Sequence, residues 1–342
     1  MDNPKVSIVI PTHNRSSILL QTLRSVLSQT FSDFECLIID DHSTDENTRL
    51  IAKEFSLKDK RFKAYELPFV KSGANAVRNY GLGLSKGEFI NFLDSDDIFS
   101  AQKIEMQLNE FDATPALDAV SCRHIAFRET PGDVSEQYKF APPESWLDVL
   151  FFPSNAMGGL WGTPCPLWRK KSLLQIGGWS EQYIVWTDPE LNLRALLAGL
   201  KIKRLEQILV FCRVESEESL SSTLLDKNYG EFINGLHKAW ELLNDSGNTT
   251  YRRQCNISDR LYNSVKHIFD NKGFRFGLQE WIYLCKKFDL PIRRCFLGLV
   301  LLIFRESGFS RLMRITYYQF AAYRKSLPPA LPDLSIVEFE SK

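Results

Sequence analysis

The chain has 342 residues, of which 44% are hydrophobic and 25% charged, as in a globular protein with one large domain and an appendage, or with two domains. Its 42 Lys and Arg balance its 42 Asp and Glu, so the net charge of zero indicates no class of partner. Seven scattered cysteines without a Cys-x-x-Cys pair argue against a zinc site and are typical of a reducing cytosol. The sequence shows neither the apolar core of a signal peptide nor the ~18 apolar residues of a membrane span, so we expect a cytoplasmic protein.

Strands alternate with helices in the first part of the chain. Apolar patterns predict strand 6–10, helix 18–27, strand 34–39, helix 43–55, strand 62–65, helix 73–84, strand 89–93 and helix 101–111. Ser43 and Glu46 have the spacing of a capping box at the start of the second helix. The alternation predicts βαβ units with right-handed crossovers, and therefore an α/β fold with a mostly parallel, Rossmann-like sheet flanked by helices.

The next segments are less regular. We predict strands over 119–127 and 208–213, a mobile loop over 130–143, an extended or turning segment over 161–168, a turn at Gly177-Gly178-Trp179 and a helix over 191–200. Asp188 immediately precedes Pro189, the combination expected for the N-cap and first position of that helix. The same carboxylate could serve as general base for a hydroxyl, and the local sequence leaves both interpretations open.

The C-terminal part of the chain differs from the rest. Helical periodicity dominates from about residue 226, which predicts a division into residues 1–225 and a helical appendage over 226–342. Residues 251–325 hold 15 Lys and Arg against 5 Asp and Glu, an excess that indicates an anionic partner such as a membrane surface. The apolar run from Cys295 to Phe304 could lie in such an interface, or form a helix buried against the first domain.

Carboxylates cluster where two predicted strands end. Asp94, Asp96 and Asp97 follow one buried strand, and Asp40 and Asp41 end another. Carboxylates this close repel one another unless a cation is bound, and Mg²⁺ or Mn²⁺ commonly binds one or two carboxylates together with substrate phosphates. A solvated Asp-rich turn is the alternative for the first group. If the strands are parallel, both groups lie at one edge of the sheet, where one could bind a base and ribose and the other a metal on a diphosphate.

Several common catalytic motifs are missing from the sequence. It has no glycine-rich dinucleotide loop, P-loop or Gly-x-Ser-x-Gly motif, which argues against nicotinamide-dependent, ATP-hydrolysing and α/β-hydrolase chemistry. The five histidines show no metal-ligand spacing. The acidic groups are therefore the main candidates for chemistry.

The order and spacing of these motifs resemble family 2 glycosyltransferases of the GT-A type. The matching segments are residues 6–15, 39–45, 73–81, 87–97, 177–179, 187–188 and 193–194, and the resemblance covers roughly residues 4–222. It implies a nucleotide-sugar donor, an inverting displacement, and Mn²⁺ or Mg²⁺ as cofactor. Three residues depart from the family pattern: Thr187 where Glu is frequent, His13 where an aromatic residue is usual, and Glu215 where many members carry a histidine that can complete the metal site.

The resemblance also implies roles for individual residues. Pro11 and Asp41 would hold the nucleobase with Asp40 in support, and Asp94 would contact the ribose. The other positions implied in nucleotide-sugar binding are Thr12, Asn14, Arg15, Ser95 and Arg78, the last lying near the diphosphate or bracing the acidic motif.

Metal, catalysis and acceptor contacts follow from the same resemblance. Asp96 would bind the metal with Asp97 assisting, and Asp188 would take the acceptor proton. The acceptor side would be lined by Trp161, Trp168, Trp179 and Trp186, because aromatic faces suit sugar rings.

The sequence therefore predicts a transferase that moves a sugar from a nucleotide to a hydroxyl of a glycan or lipid-linked acceptor. We expect the nucleotide to be UDP, because UDP is the commonest in the family that the sequence resembles. We expect a role in bacterial-type surface polysaccharide synthesis at the cytoplasmic membrane face, with no nucleic-acid partner; the sugar, the linkage and the oligomeric state are not specified. A nucleotidyltransferase would need a glycine- and basic-rich triphosphate loop, which the sequence lacks. A degenerate domain acting as a binding or assembly module is the other alternative, and the intact Asp94, Asp96 and Asp188 argue against it.

Overall fold

In the computed structural model, the described residues are 3–68, 73–129, 131, 161–183, 186–214, 229–303 and 336–337. The chain divides into two compact units: Met1–Pro142 with Gly159–Gly235 and Ser335–Lys342, and Pro143–Gly158 with Leu236–Leu334. The predicted loop over 130–143 lies outside the described residues except for Pro131, as do Glu215, Phe304 and the basic residues after it.

The first unit has the predicted alternation of strands and helices. The strands are β1 Val6–Thr12, β2 Phe34–Asp40, β3 Phe62–Glu66, β4 Phe89–Phe92, β5 Ile98–Phe99, β6 Ala119–Phe127, β7 Leu167–Arg169, β8 Ile202–Arg213 and β9 Ile336–Val337. The helices are α1 Leu19–Leu27, α2 Glu46–Lys58, α3 Ala74–Leu84, α4 Lys103–Ala113, α5 Lys170–Gln175 and α6 Thr187–Leu197. The strands β5, β7 and β9 and the helix α5 were not predicted, because such short elements carry too little periodicity.

One sheet contains all the described strands. Its order is β3-β2-β1-β4-β7-β6-β8-β5, with β9 paired to β8. The pairings among β1 to β4 are parallel, which confirms the predicted parallel sheet for this part of the chain. The sheet becomes mixed beyond β4, because β7 runs antiparallel to β4 and to β6. The strand order turns back at β1, and open α/β sheets bind ligands in a crevice at such a point, here at the carboxyl ends of β1 and β4.

Helix α3 approaches the sheet closely because a glycine faces the strands. A Cβ atom at Gly81 would overlap Val9 and lie 2.7 Å from Ile39 Cδ1. Val9 and Ile39 are fully buried, and burial of such side chains contributes about 1.5–3 kcal/mol each. The packing fixes α3 at the crevice side of the sheet, where the helix supplies three polar side chains described below.

The predicted capping box is wrong. Helix α2 begins at Glu46, and its N-cap is Asp45, whose carboxylate accepts a hydrogen bond of 3.0 Å from Asn47 N. Ser43 lies further upstream and donates to Asp40 instead. The capping residue is therefore the carboxylate immediately before the helix.

The predicted N-cap role of Asp188 is also wrong. Helix α6 begins at Thr187, after Trp186, which has a left-handed backbone with φ 65°. Asp188 therefore lies inside the first turn of the helix. Its carboxylate is directed to another segment, as the next section describes.

The described part of the second unit is helical, as predicted. Its helices are α7 Tyr229–Asp245, within which the unit boundary falls, α8 Tyr251–Lys272, α9 Phe274–Lys287 and α10 Ile292–Ile303. Trp281 of α9 is buried against Gly298 of α10, and its indole N–H donates to Cys295 O at 2.9 Å. None of the helices in the described ranges is long and apolar enough to cross a membrane.

Candidate active site

The loops that follow β1 and β2 interlock at the edge of the sheet. Asp41 N donates to Thr12 O at 2.9 Å, and Asn14 N donates to Ser43 Oγ at 2.9 Å. Asn14 and His42 have positive φ angles of 51° and 55°, a conformation that non-glycine residues rarely adopt. Such strain persists only where surrounding bonds impose it, and it is frequent in ligand-binding loops.

The two carboxylates at the end of β2 have different environments. Asp40 accepts hydrogen bonds from Ser43 N at 2.9 Å and Ser43 Oγ at 2.5 Å, so it shapes the loop. Asp41 is 5% exposed, and its Oδ1 has no hydrogen-bond partner among the described residues; the same holds for Thr12 Oγ1. A buried acceptor without a donor costs about 1–3 kcal/mol, so a ligand N–H would bind favourably at Asp41.

Arg78 of α3 braces the loop after β4. Its Nη2 donates to Asp94 Oδ1 at 2.6 Å, and its Nη1 donates to Asn75 Oδ1 at 3.0 Å. The guanidinium also lies 4.6 Å from the centre of the Trp179 ring, within cation–π range. Arg78 is buried, whereas the Asp94 side chain is 31% exposed. The pair therefore presents a carboxylate at the crevice with a buried cation behind it.

Asp96 and Asp97 point in different directions. Asp96 Oδ2 lies 3.4 Å from Arg15 Nη2, which joins the loop after β1 to the acidic loop. Asp97 is buried, and its Oδ1 accepts a hydrogen bond of 2.9 Å from Arg213 N at the end of β8. Burial, with Asp96 and Asp94 nearby, raises the pKa of Asp97 well above its usual range.

The other residues that were predicted to bind the nucleotide-sugar lie in the same region. Pro11 is partly exposed within β1, opposite Ile39 of β2. Ser95 is buried, and its carbonyl accepts a hydrogen bond of 2.9 Å from Thr22 Oγ1. The structure thus brings the ends of β1, β2 and β4 together, as the parallel arrangement required.

The carboxylates suit a divalent metal that takes part of its ligands from the substrate. In the described ranges, no group of three or more His, Cys, Asp or Glu side chains is arranged to hold a metal. Asp94 and Asp96 are both partly exposed, with Asp94 paired to Arg78, while Asp97 is buried and supports the loop from behind. This donor set does not fit a metal cage built wholly from protein. It does fit Mg²⁺ or Mn²⁺, which commonly binds one or two carboxylates and completes its ligands with phosphate oxygens.

Asp188 in the first turn of α6 faces the same region. Its Oδ1 accepts a hydrogen bond of 2.5 Å from Thr163 Oγ1. Burial raises the pKa of Asp188, while the positive charge of Arg78 and the Thr163 bond oppose this shift and the negative charge of Asp94 adds to it. The side chain remains partly exposed. A partly exposed carboxylate with a raised pKa is suited to proton transfer.

Hydrogen bonds from α6 and from α3 hold the turn after Gly177 in place. Arg194 Nε donates to Glu190 Oε1 at 2.5 Å, and Arg194 Nη2 donates to Gly178 O at 2.8 Å in the predicted turn. From α3, Asn79 Nδ2 donates to Trp179 O at 2.8 Å and Asn75 Nδ2 donates to Ser180 O at 2.7 Å. The turn after Gly177 is thus tied to both helices that carry candidate site residues.

The tryptophans are mostly part of the core. Trp161, Trp168 and Trp179 are 1–3% exposed, so their ring faces are covered by protein and open to no sugar in this structure. Trp179 packs edge-on against Phe92 with ring centres 5.4 Å apart. Trp186, which precedes α6, is partly exposed.

Sequence reasoning missed Thr163, Arg213, Asn75 and Asn79. Thr163 and Arg213 lie 25 and 116 residues from their carboxylate partners in the sequence, so no local pattern predicts these contacts. The asparagines did leave a signal: they stand at i and i+4 on the helix that carries Arg78, so all three lie on one face.

Comparison with known proteins bears on the family. Residues 7–160 match the model of glycosyl transferase family 2. WfgD of Escherichia coli, a UDP-Glc:α-D-GlcNAc-diphosphoundecaprenol β-1,3-glucosyltransferase, is 44% identical over 109 residues, or 32% of this chain and 42% of WfgD. The GalNAc(5)-diNAcBac-PP-undecaprenol β-1,3-glucosyltransferase of Campylobacter jejuni is 37% identical over 94 residues, or 28% of this chain and 30% of that protein. The chain thus spans less than half the length of these relatives.

Solved structures bear on the fold. Residues 1–349 of Staphylococcus aureus TarS, in complex with UDP-GlcNAc, align over 92% of both chains with a TM-score of 0.64 and 19% identity. The mannosyltransferase PcManGT of Pyrobaculum calidifontis, in complex with GDP-Man and Mn²⁺, aligns over 96% of this chain and 88% of its own, with a TM-score of 0.52 and 13% identity. Over residues 7–160 the chain is therefore similar to glycosyl transferase family 2, and it has the predicted GT-A fold.

Proposed function

We propose that this chain is an inverting glycosyltransferase that moves a sugar from a UDP-sugar to a hydroxyl of a glycan or lipid-linked acceptor in surface polysaccharide synthesis. The observation that carries the proposal is the position of Asp188, a partly exposed carboxylate within the electrostatic field of Arg78 and Asp94. A single displacement needs a base beside the donor, and this arrangement supplies one. The activities of WfgD and of the Campylobacter glucosyltransferase support the acceptor class.

The donor would lie along the ends of β1, β2 and β4. Asp41 Oδ1 and Thr12 Oγ1, both buried and without a partner in the described part of the chain, would take the polar edge of the uracil, with Pro11 against its face. Asp40 and Asn14 hold the loops around it, and Ser95 holds the start of the acidic loop. The complex of TarS with UDP-GlcNAc supports uridine as the nucleoside.

Asp94, Arg78 and Arg15 would act on the rest of the donor. Asp94 is the exposed member of its pair with Arg78 and would accept from a ribose hydroxyl. Arg78 holds that carboxylate in place, and Arg15, which contacts Asp96, would bind the diphosphate. Both cations would favour the negative charge of the donor.

We propose Asp96 as the metal ligand, with Asp97 holding the loop through Arg213 N. Mn²⁺ or Mg²⁺ at Asp96 would stabilise the charge that grows on the departing nucleoside diphosphate. PcManGT, whose structure contains Mn²⁺ and GDP-Man, supports a divalent metal in this fold.

Asp188 would take the proton of the acceptor hydroxyl. As that oxygen bonds to the anomeric carbon, the bond from this carbon to the diphosphate oxygen breaks, and the nucleoside diphosphate leaves with the electron pair. The raised pKa of Asp188 brings its basicity closer to that required near neutral pH. Attack from the face opposite the leaving group inverts the anomeric centre. Trp186 remains the candidate for acceptor contact among the tryptophans.

We further propose that residues 1–225 form the transferase domain and 226–342 a helical region that holds the protein at the cytoplasmic membrane face. The basic composition of residues 251–325 and the diphosphoundecaprenol-linked acceptors named for two relatives support this placement.

The test is a calorimetric titration of UDP into the protein with and without Mn²⁺, on the wild type and on Asp96→Ala. We expect Mn²⁺ to strengthen UDP binding at least tenfold, and Asp96→Ala to lose that gain. Asp112→Ala, which removes an exposed carboxylate at the end of α4, is the matched control and should keep it.

The outcomes separate the alternatives. Metal-dependent binding lost only in Asp96→Ala supports the donor site and leads to a panel of UDP-sugars. Absence of binding to UDP, GDP and dTDP would overturn the proposal. Nucleotide binding without transfer from any sugar of the panel would support the binding-module alternative.

A further inference from the structure

Exposed apolar side chains concentrate on two helices of the second unit. Among the described residues, seven of the eleven large hydrophobic side chains that are exposed belong to α9 or α10. Single exposed hydrophobic residues need no explanation, but a concentration of this kind marks an interaction surface.

These side chains follow the outward side of each helix. On α10, Ile292, Phe296 and Ile303 are 84%, 66% and 49% exposed, and their spacing of four and seven residues puts them on one side. Gly298, Leu301 and Leu302 face the opposite way and are buried. The outward side of α10 is therefore apolar where a surface helix is normally polar.

Helix α9 has a similar outward side. Phe276, Ile282 and Tyr283 are 60%, 46% and 52% exposed, opposite the buried Trp281 and Leu284. The two helices pack against each other. We call the exposed apolar residues of both helices, together with the exposed cations Arg275, Lys286 and Arg293, the α9–α10 outer face.

The charges around this face have one predominant sign. Residues 274–303 contain five Lys and Arg, of which Arg294 is buried in a pair with Asp259. Four cations therefore remain on these helices against two acids, Glu280 and Asp289. Apolar side chains bordered by cations, on helices too short to span a bilayer, are the pattern of helices that lie in a membrane interface. A second copy of the chain is a poorer occupant, because self-association would bring the cations of both copies together.

We infer that the α9–α10 outer face binds an anionic phospholipid bilayer, with Ile292, Phe296 and their neighbours entering the interface and Arg275, Lys286 and Arg293 meeting the headgroups. The inference deepens the membrane placement proposed above and rests on that part of the proposal alone. The proposed donor site lies on the first unit, so UDP binding can be measured separately on the same preparation.

The test is flotation of the full chain with vesicles of phosphatidylcholine, alone or mixed with phosphatidylglycerol. We expect binding only to the mixed vesicles. The charge variant Arg275→Gln/Lys286→Gln/Arg293→Gln should lower the partition coefficient on the order of 100-fold, since each cation contributes on the order of fivefold. The apolar variant Ile292→Ser/Phe296→Ser should lower it at least about tenfold by removing apolar burial.

Matched controls change exposed residues of the first unit. Lys53→Gln/Lys60→Gln/Lys201→Gln removes the same charge, and Leu50→Ser/Leu57→Ser removes exposed leucines from α2. Both controls should bind like the wild type, and every variant should keep its UDP affinity and melting temperature.

Two results would overturn the inference. The first is vesicle binding that neither α9–α10 variant weakens, or that the controls weaken equally. The second is absence of vesicle binding together with a dimer that Ile292→Ser/Phe296→Ser converts to a monomer, which would assign the face to a second copy. If UDP binding is retained in either case, the proposal for the donor site still stands.

Discussion

Thr163 Oγ1 donates a 2.5 Å hydrogen bond to Asp188 Oδ1 and so joins the segment before β7 to the first turn of α6. Thr163 is 5% exposed, which shields the bond from water. The bond uses one carboxylate oxygen and fixes the orientation of the other, the one that would take a proton. Because it stabilises the charged form, it also limits the rise in the pKa of Asp188 that burial causes.

Thr163→Val should therefore move the acidic limb of the pH profile of kcat/KM to higher pH. The proposed base acts only when deprotonated, so activity is lost as pH falls through its pKa, and loss of the Thr163 bond raises that pKa further. A hydrogen bond to a charged group is worth ~1.5–3 kcal/mol, so activity below the limb should fall about tenfold or more. Thr163→Ser keeps the hydroxyl and should restore the profile. A uniform loss across all pH values in Thr163→Val would instead indicate a purely structural role.

Asp188→Asn tests the base itself. The amide keeps the size of the side chain but cannot take a proton, so transfer should fall by about 10²–10⁴-fold. UDP binding with Mn²⁺ should be unchanged, because the residue is proposed to contact the acceptor and not the nucleotide. Glu181→Gln, on the exposed turn that contacts Asn79, is the control and should transfer sugar normally. Full transfer by Asp188→Asn would remove this residue from the mechanism.

Arg78→Lys should fail to replace arginine. The planar guanidinium binds Asp94 and Asn75 with separate nitrogens and lies over Trp179, and one ammonium group cannot reproduce this geometry. We expect weaker UDP binding and a loss of stability of about 1.5–3 kcal/mol, because lysine keeps the charge but cannot make all the hydrogen bonds of the guanidinium. Calorimetry and urea unfolding measure the two effects. Arg24→Lys, near the end of α1, is the control. Wild-type affinity in Arg78→Lys would show that a point charge is enough.

Local pattern was enough to predict the parallel core, because β1, β2 and β4 are short, mainly apolar buried runs with a proline or an aspartate near the end of each. It also predicted that Asp41 and Asp94 would follow strands at the same edge. It could not tell the capping function of Asp188 from a catalytic one. The bond that orients the Asp188 carboxylate comes from Thr163, and the start of α6 depends on the left-handed backbone of Trp186, which its sequence does not indicate. The prediction that tryptophans line the acceptor side failed for the buried ones for a similar reason, because burial depends on tertiary packing.

Two glycines of α3 provide a matched pair for the packing of that helix. Gly81→Ala would overlap Val9 and press on Ile39, so it should destabilise the protein by about 1–3 kcal/mol. Gly83→Ala meets nothing within 4 Å and should stabilise it by about 0.5–1 kcal/mol, because alanine is the better helix former. Urea unfolding of both variants checks the signs. Because α3 carries Arg78, Gly81→Ala should also weaken UDP binding, and equal stability of the two variants would contradict the close approach of α3 to the sheet.

A buried lysine in α4 should make stability rise with pH. Lys103 is fully buried, donates to Gln107 Oε1 at 2.7 Å, and lies 4.5 Å from the centre of the Phe99 ring; burial lowers its pKa to about 8. Between that value and its ordinary pKa, the unfolded chain binds the extra proton, so the free energy of unfolding increases as pH rises. At neutral pH the charge of Lys103 lowers the free energy of unfolding by about 3 kcal/mol.

Urea unfolding of Lys103→Met should therefore give a higher stability than the wild type at neutral pH and a smaller difference near pH ~10, whereas the exposed Lys53→Met should follow the wild type throughout. If the free energies of unfolding of the wild type and Lys103→Met change in parallel with pH, burial of the Lys103 charge does not destabilise the folded protein.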